Sequence, residues 1–417
     1  MRKSLLVAAL AVGFASTAQA EVKLYGTINF GAAYEQTKTT LYQDISNMYR
    51  DKEGKNALRA GTVKERSTGI KGSNITSSRW GLKGSEDLGN GTSAIFRVEA
   101  GFNPTTGKST QGGALFGRYA ILGLTGEKWG TLTIGRQYSV ADDLVAFADV
   151  GWWYGSADST IVGAISTRQS PTIKYLSPDL DGFKFGVAVL SGDEKTTEET
   201  PDGNEKITRN KRNGAAIGLN YNNGPLELGA AFEYNREHKG KSDKTNHAED
   251  YNRRIKGWSV AGAYDFDVVK LHLAYGQQHD GVLGTGDYMG ILDYFLDSYY
   301  VQKENKSLVK FKTRLNSRGL RTKGWFTGIT APVGEMGEVT FTYQGGRVKH
   351  SDFDTLRINS QIYELAYQHK LSKRTYIAFV GAYGETKFKG KVLNGNKHGQ
   401  FAKVKYKDFR VGLVHRF

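Results

Sequence analysis

The run Phe409-Arg-Val-Gly-Leu-Val-His-Arg-Phe417 decides how this chain is read. Phe409, Val411, Leu413 and Phe417 share one face with His415, while Arg410 and Arg416 take the other. A period of two marks an extended strand, whose successive side chains point to opposite sides. Val22-Lys-Leu-Tyr-Gly-Thr-Ile-Asn-Phe30 repeats the pattern near the start of the chain. Val22, Leu24, Gly26, Ile28 and Phe30 alternate with Lys23, Tyr25, Thr27 and Asn29. A water-soluble sandwich alternates in the same way. Strand count, connections and termini must separate the two readings.

Between these ends the chain reads as strand after strand. Seven short turns rich in Gly, Asp, Asn and Pro fall at 86–91, 126–130, 178–182, 221–225, 265–267, 331–337 and 371–374. Eight longer polar segments lie between them, at 36–68, 103–112, 138–169, 192–212, 237–255, 279–318, 349–357 and 386–404. Seven short and eight long links separate sixteen strands. Their alternation predicts an all-β, 16-stranded antiparallel transmembrane β-barrel, with short periplasmic turns and long extracellular loops. Closure follows from the bilayer, since an open sheet edge in lipid leaves backbone groups unsatisfied. Tyr34, Trp80, Tyr221, Phe266, Trp325 and Tyr376 are its candidate interface aromatics.

Composition agrees. The 417 residues include 52 Gly but only 6 Pro, and their aromatics are dominated by 23 Tyr and 20 Phe. Proline is scarce where each one would remove a ladder hydrogen bond. Mean hydropathy is −0.48, the value of a soluble protein by a helix-only rule, but alternation cancels lipid-facing against lumen-facing residues. Cysteine is absent, so disulfides play no part.

Arg2 and Lys3, the apolar Leu5 to Ala15 and the small-x-small Ala18-Gln19-Ala20 read as a cleaved secretory signal peptide over residues 1–20. The barrel domain is then 21–417. The charge of +15 is spread over many segments, and export argues against nucleic acid as a partner.

The run Ser78-Arg-Trp-Gly-Leu-Lys-Gly-Ser-Glu-Asp-Leu-Gly-Asn-Gly91 resembles the second strand and first turn of general Gram-negative porins. Leu24-Tyr-Gly, Gly135-Arg-Gln-Tyr138 and Val411-Gly-Leu-Val-His-Arg-Phe417 are similar to further stretches of that family, closest to its neisserial-type branch. The resemblance implies a homotrimer of barrels, each with a water-filled pore narrowed by an inward-folded third loop. It places that loop at 138–169, with carboxylates Asp142, Asp143, Asp149 and Asp158 around Trp152-Trp153-Tyr154. The wall positions it carries over are Arg79, Arg136 and Lys174. Alternation adds Lys83 and Glu99 to the lumen, and Arg118 if its strand keeps phase. Opposed charges across a narrow aqueous passage create a transverse field that polar solutes tolerate. The expected function is passive diffusion of ions and small hydrophilic solutes, moderately favouring anions. The terminal Phe417 is the family's signal to the outer-membrane assembly machinery.

Other readings are weaker. Gly101-Phe-Asn-Pro-Thr-Thr-Gly-Lys-Ser109 has one residue too many between its glycines for a phosphate-binding loop. None of the eight histidines lies in a catalytic or metal-binding motif, so neither enzyme activity nor a cofactor is expected. A substrate-selective channel is the main alternative, since Tyr288, Tyr294, Phe295, Tyr299 and Tyr300 are available to contact a sugar or organic anion at the mouth. Residues 387–407 carry seven lysines and no carboxylate. They read as a contact to phosphorylated lipopolysaccharide, as lining of the pore mouth, or as a solvated loop.

Overall fold

The computed structural model describes residues 21–42, 61–151, 168–199, 205–243, 250–280, 319–351, 357–391 and 398–417. The expected signal peptide lies outside them. The strands are β1 (Glu21–Leu41), β2 (Gly61–Gly72), β3 (Arg79–Asp87), β4 (Thr92–Gly101), β5 (Tyr119–Gly126) and β6 (Gly130–Tyr138). Next come β7 (Arg168–Leu176), β8 (Phe183–Glu199), β9 (Glu205–Asn223), β10 (Leu226–Asp243), β11 (Asp250–Asp265) and β12 (Lys270–His279). The series ends with β13 (Leu320–Val333), β14 (Gly337–His350), β15 (Arg357–Lys370), β16 (Thr375–Lys391) and β17 (His398–Arg416).

All of them join one antiparallel sheet that closes where β1 meets β17. Seventeen elements make sixteen staves, because β3 pairs with Glu21–Thr27 and β2 with Phe30–Leu41 of the same strand β1. Between β2 and β3 the chain bends off the wall into the lumen. Asn29 Oδ1 accepts from the backbone N–H of Ile75 at 2.7 Å, and Asn74 Nδ2 donates to the carbonyls of Ala32 and Val411 at 3.2 and 3.1 Å. Gly412 makes room for this bend, since a Cβ there would overlap Ile75.

The period of two has a direct structural meaning. On β8, Val187 and Val189 stand exposed on the outside, while Ala188 and Leu190 are buried inside. Leu122, Ile134, Ile173, Ile217, Leu365 and Phe409 extend the same exposed apolar band around the wall. So large an apolar surface belongs in lipid. Outward ring pairs flank it, Phe183–Tyr221 and Tyr264–Phe266 near the short turns, Trp258–Tyr275 and Tyr343–Tyr363 further up. Among the described residues no helix is long and apolar enough to cross a membrane. The strands are what cross.

Two expectations need correction. Tyr376 is not an interface aromatic: it faces inward beside Ala378 and Val380, against Ile75 and Val414, with Arg416 over its ring. Much of 192–212, 237–255 and 386–404 is also strand rather than loop. The hydrogen-bond ladder continues beyond the membrane into water, where charged residues on both faces erase the hydropathy signal but not the pairing.

Candidate functional site in the barrel lumen

The third long loop leaves β6 and folds against the inner wall. Ser139 caps a short helix α1 (Val140–Leu144), its Oγ accepting from the Asp142 N–H at 3.1 Å. The apolar side of α1 needs a close-fitting wall, which inward-facing small residues supply. Val140 and Leu144 pack on Ala188 and Ala216, with Leu176 beside them. A Cβ on Gly218 would lie 2.8 Å from Val140 and 3.0 Å from Leu144, and one on Gly229 only 2.5 Å from the Leu144 carbonyl oxygen. Val145 and Ala148 continue onto Ala231, Ala261, Ala274 and Phe326. The loop is thus held by shape as far as Val150. Trp152, Trp153, Tyr154 and Asp158 lie outside the described residues, as does the tyrosine-rich segment 281–318.

Opposite the loop, β3, β4 and β5 carry a charged cluster. The Glu99 carboxylate, 1% exposed, accepts from Tyr25 Oη at 2.8 Å, Arg97 Nη2 at 2.8 Å and Arg118 Nε at 2.5 Å. Arg97 is sandwiched between rings, 5.2 Å from the Tyr25 centroid and 3.8 Å from that of Tyr119. Tyr138 Oη accepts from both Arg118 at 2.8 Å and Arg168 at 2.6 Å. Lys83 extends over the other part of Tyr25, and Arg79 donates to the Ser77 carbonyl. Arg97 and Arg118 therefore hold Glu99 directly, Lys83 and Arg168 join the cluster through Tyr25 and Tyr138, and Arg79 stands beside them on β3. The cation–π contacts hold the Arg97 and Arg168 guanidinium groups over rings, so these charges are positioned before any ion arrives.

The expected wall residues do not all behave alike. Arg79, Lys83 and Arg118 join the cluster. Arg118 lies just ahead of β5, where alternation does not fix its direction; its bond to Glu99 does. Lys174 and Asp143 meet each other instead: the Lys174 ammonium is ion-paired to the Asp143 carboxylate and donates to the Tyr138 carbonyl at 2.9 Å. That pair ties the loop base to β7. Arg136 stands apart. Counting from outward Leu132 and Ile134 would turn it to lipid, but a register irregularity between Gly135 and Gln137 intervenes. Its Nε donates to the Gly117 carbonyl at 2.7 Å. Asp149 ends the 3-10 turn after α1.

Arg97 and Arg168 were missed as wall residues, although a signal existed for both. Arg97 shares the parity of Glu99, and Arg168 that of Lys174. Among the described residues no His, Asp and Glu group is placed to hold a metal ion. The segment 103–108 closes on itself, the Asn103 carbonyl accepting from Gly107 and its N–H donating to the Lys108 carbonyl, and it is followed by a three-residue 3-10 turn, Gln111–Gly113, rather than by an α-helix.

Residues 6–391 match the family model described as Gram-negative porin. An outer membrane porin protein of Bordetella pertussis is 32% identical over 399 residues, covering 92% of this chain and 94% of that protein. Among solved structures, the anion-selective porin from Comamonas acidovorans superposes with a TM-score of 0.59 at 22% identity, covering 96% of this chain and all of that one. An in-vitro folded outer-membrane protein of Vibrio cholerae, described as a trimer form, superposes at 0.56 with 13% identity over 95% and 99% of the two chains.

Proposed function

The chain belongs to the Gram-negative porin family, and we propose that its outer-membrane channel passes small anions in preference to cations through the cluster around Glu99. As a porin it is a passage for ions and small hydrophilic solutes. The observation carrying the preference is that five cations share this stretch of wall with one buried carboxylate: Arg97 and Arg118 bond Glu99 directly, Lys83 and Arg168 join through Tyr25 and Tyr138, and Arg79 stands on the neighbouring strand. An ion in a constriction responds chiefly to charges within about 8 Å at physiological salt. Loop carboxylates Asp142 and Asp149 moderate the field from the other side, while Asp143 is largely balanced by Lys174.

Arg136 supports the chain entering β5 and contributes to the field through its charge. The working assembly is a homotrimer of such barrels, and no catalytic role is assigned. Lipopolysaccharide phosphates meet the outward basic residues, and the assembly machinery meets the strand ending in Phe417. Swelling of liposomes containing the purified protein tests the preference. Small anionic solutes should enter faster than zwitterionic or cationic solutes of equal size, and equal rates for all three would remove the selectivity reading.

A further inference from the structure

High on the outer wall, β9 and β10 enclose a cavity of ≈ 250 Å³ lined by Arg209, Lys211, Asn213, Arg236 and His238. Alternation fixes its direction. Arg209, Lys211 and Asn213 continue the odd-numbered row of Ile217 and Leu219, both exposed on the lipid side. Arg236 and His238 continue the even-numbered row of Leu228 and Phe232. The ladder pairs Lys211 with His238 and Asn213 with Arg236 in an unbroken register, so the five side chains form one outward patch.

Height follows from the same register. The β9–β10 turn lies at the periplasmic end, and Arg236 stands four residues above Phe232, about 13 Å along the strand at ~3.3 Å per residue. Outward side chains change there from apolar to charged, as they must where hydrocarbon gives way to headgroups.

The patch is cationic. Asp193 is its carboxylate, 2.5 Å from Arg209 and 4.0 Å from Lys211. Among the described residues no ion pair engages Arg236. The lysines further round the wall differ, because Glu385 already holds Lys403 at 2.7 Å and Lys405 at 3.8 Å. Guanidinium groups present a planar fork that matches phosphate oxygens. We propose that this cavity is a binding site for the phosphate of a phosphorylated glycolipid headgroup in the outer leaflet. A soluble anion offers the same charge, but the cavity opens sideways into the bilayer surface, directly above side chains that face acyl chains. The proposal rests on the reading of lipopolysaccharide as a partner and gives that contact an address.

Native mass spectrometry of the folded, detergent-released protein tests it, with bisphosphorylated lipid A and its dephosphorylated form as probes and inorganic phosphate as competitor. The wild type should retain the bisphosphorylated lipid at least about tenfold better than the dephosphorylated one, a difference of ~1.4 kcal/mol. The triple substitution Arg209→Gln, Lys211→Gln, Arg236→Gln should abolish that difference. Asp193→Asn, which frees two cations, should tighten binding and keeps the test open if the triple variant fails to fold. Lipid binding that both variants leave unchanged would overturn this site while sparing the lipopolysaccharide reading. No binding to the wild type would overturn both. Complete competition by millimolar inorganic phosphate would make it a soluble-anion site and overturn the lipid assignment.

Discussion

The ring of Phe417 fills the space that Gly26 leaves on the outer face of β1. A Cβ on Gly26 would overlap that ring, and the two residues exchange backbone hydrogen bonds of 3.0 and 3.1 Å. The last residue therefore completes the seam at which the sheet closes on itself. Deleting Phe417, or replacing Gly26 by Leu, should reduce barrel assembly about tenfold or more, the equivalent of ~1.4 kcal/mol. The fraction of heat-modifiable protein recovered from outer membranes checks this. Recovery equal to wild type for both variants would show that the seam closes without the ring.

Gly218 makes room for the third loop. Gly218→Val adds bulk within 2.8 Å of Val140, and such overpacking costs about 1–3 kcal/mol. The variant should show a broadened distribution of single-channel conductances, because α1 no longer seats on the wall. Adding Val140→Ala should restore the wild-type distribution, and the pair forms a double-mutant cycle. Independent, additive effects would mean that the two side chains do not share this contact.

The ion pair between Lys174 and Asp143 is expected to matter more when broken on one side than when removed. Lys174→Gln leaves Asp143 without its cation in the lumen, a loss of roughly 3–5 kcal/mol for a buried pair, less here because the Asp143 side chain is 22% exposed. Hydrogen exchange at residues 139–145 should accelerate in Lys174→Gln and less so in the double variant with Asp143→Asn. Equal acceleration in both would remove the pair as the loop's fastening.

The strand count, the seven short turns and the inward direction of Arg79, Lys83 and Glu99 were legible in the sequence because a period of two survives wherever one face meets lipid. It failed where the backbone departs from that period. The irregularity at Gly135–Gln137 makes the direction of Arg136 unreadable by counting, and Ser73–Ser78 leaves the wall altogether. The sequence places Arg168 in the loop because β7 begins earlier than its apolar residues do. The groove for α1 was written as a row of inward Gly and Ala, a pattern that does not name its occupant.

Selectivity should follow the cluster charge by charge. Arg118→Gln removes a cation and a bond to Glu99, and Arg79→Gln removes a cation and a bond to the Ser77 carbonyl while leaving the bonds of Glu99 in place; each should shift the reversal potential toward cations. Glu99→Gln should shift it toward anions. All three shifts should shrink as salt rises from about 0.1 to 1 M, where the screening length falls from ~10 to ~3 Å. Shifts that persist at 1 M would place the effect in pore shape rather than in charge.

The wild-type protein, reconstituted in a planar bilayer under a tenfold salt gradient, tests the central claim most directly. The account predicts stepwise open-channel conductance with a reversal potential displaced toward that of chloride. A folded barrel that never conducts, or one whose reversal potential lies on the cation side, would contradict it.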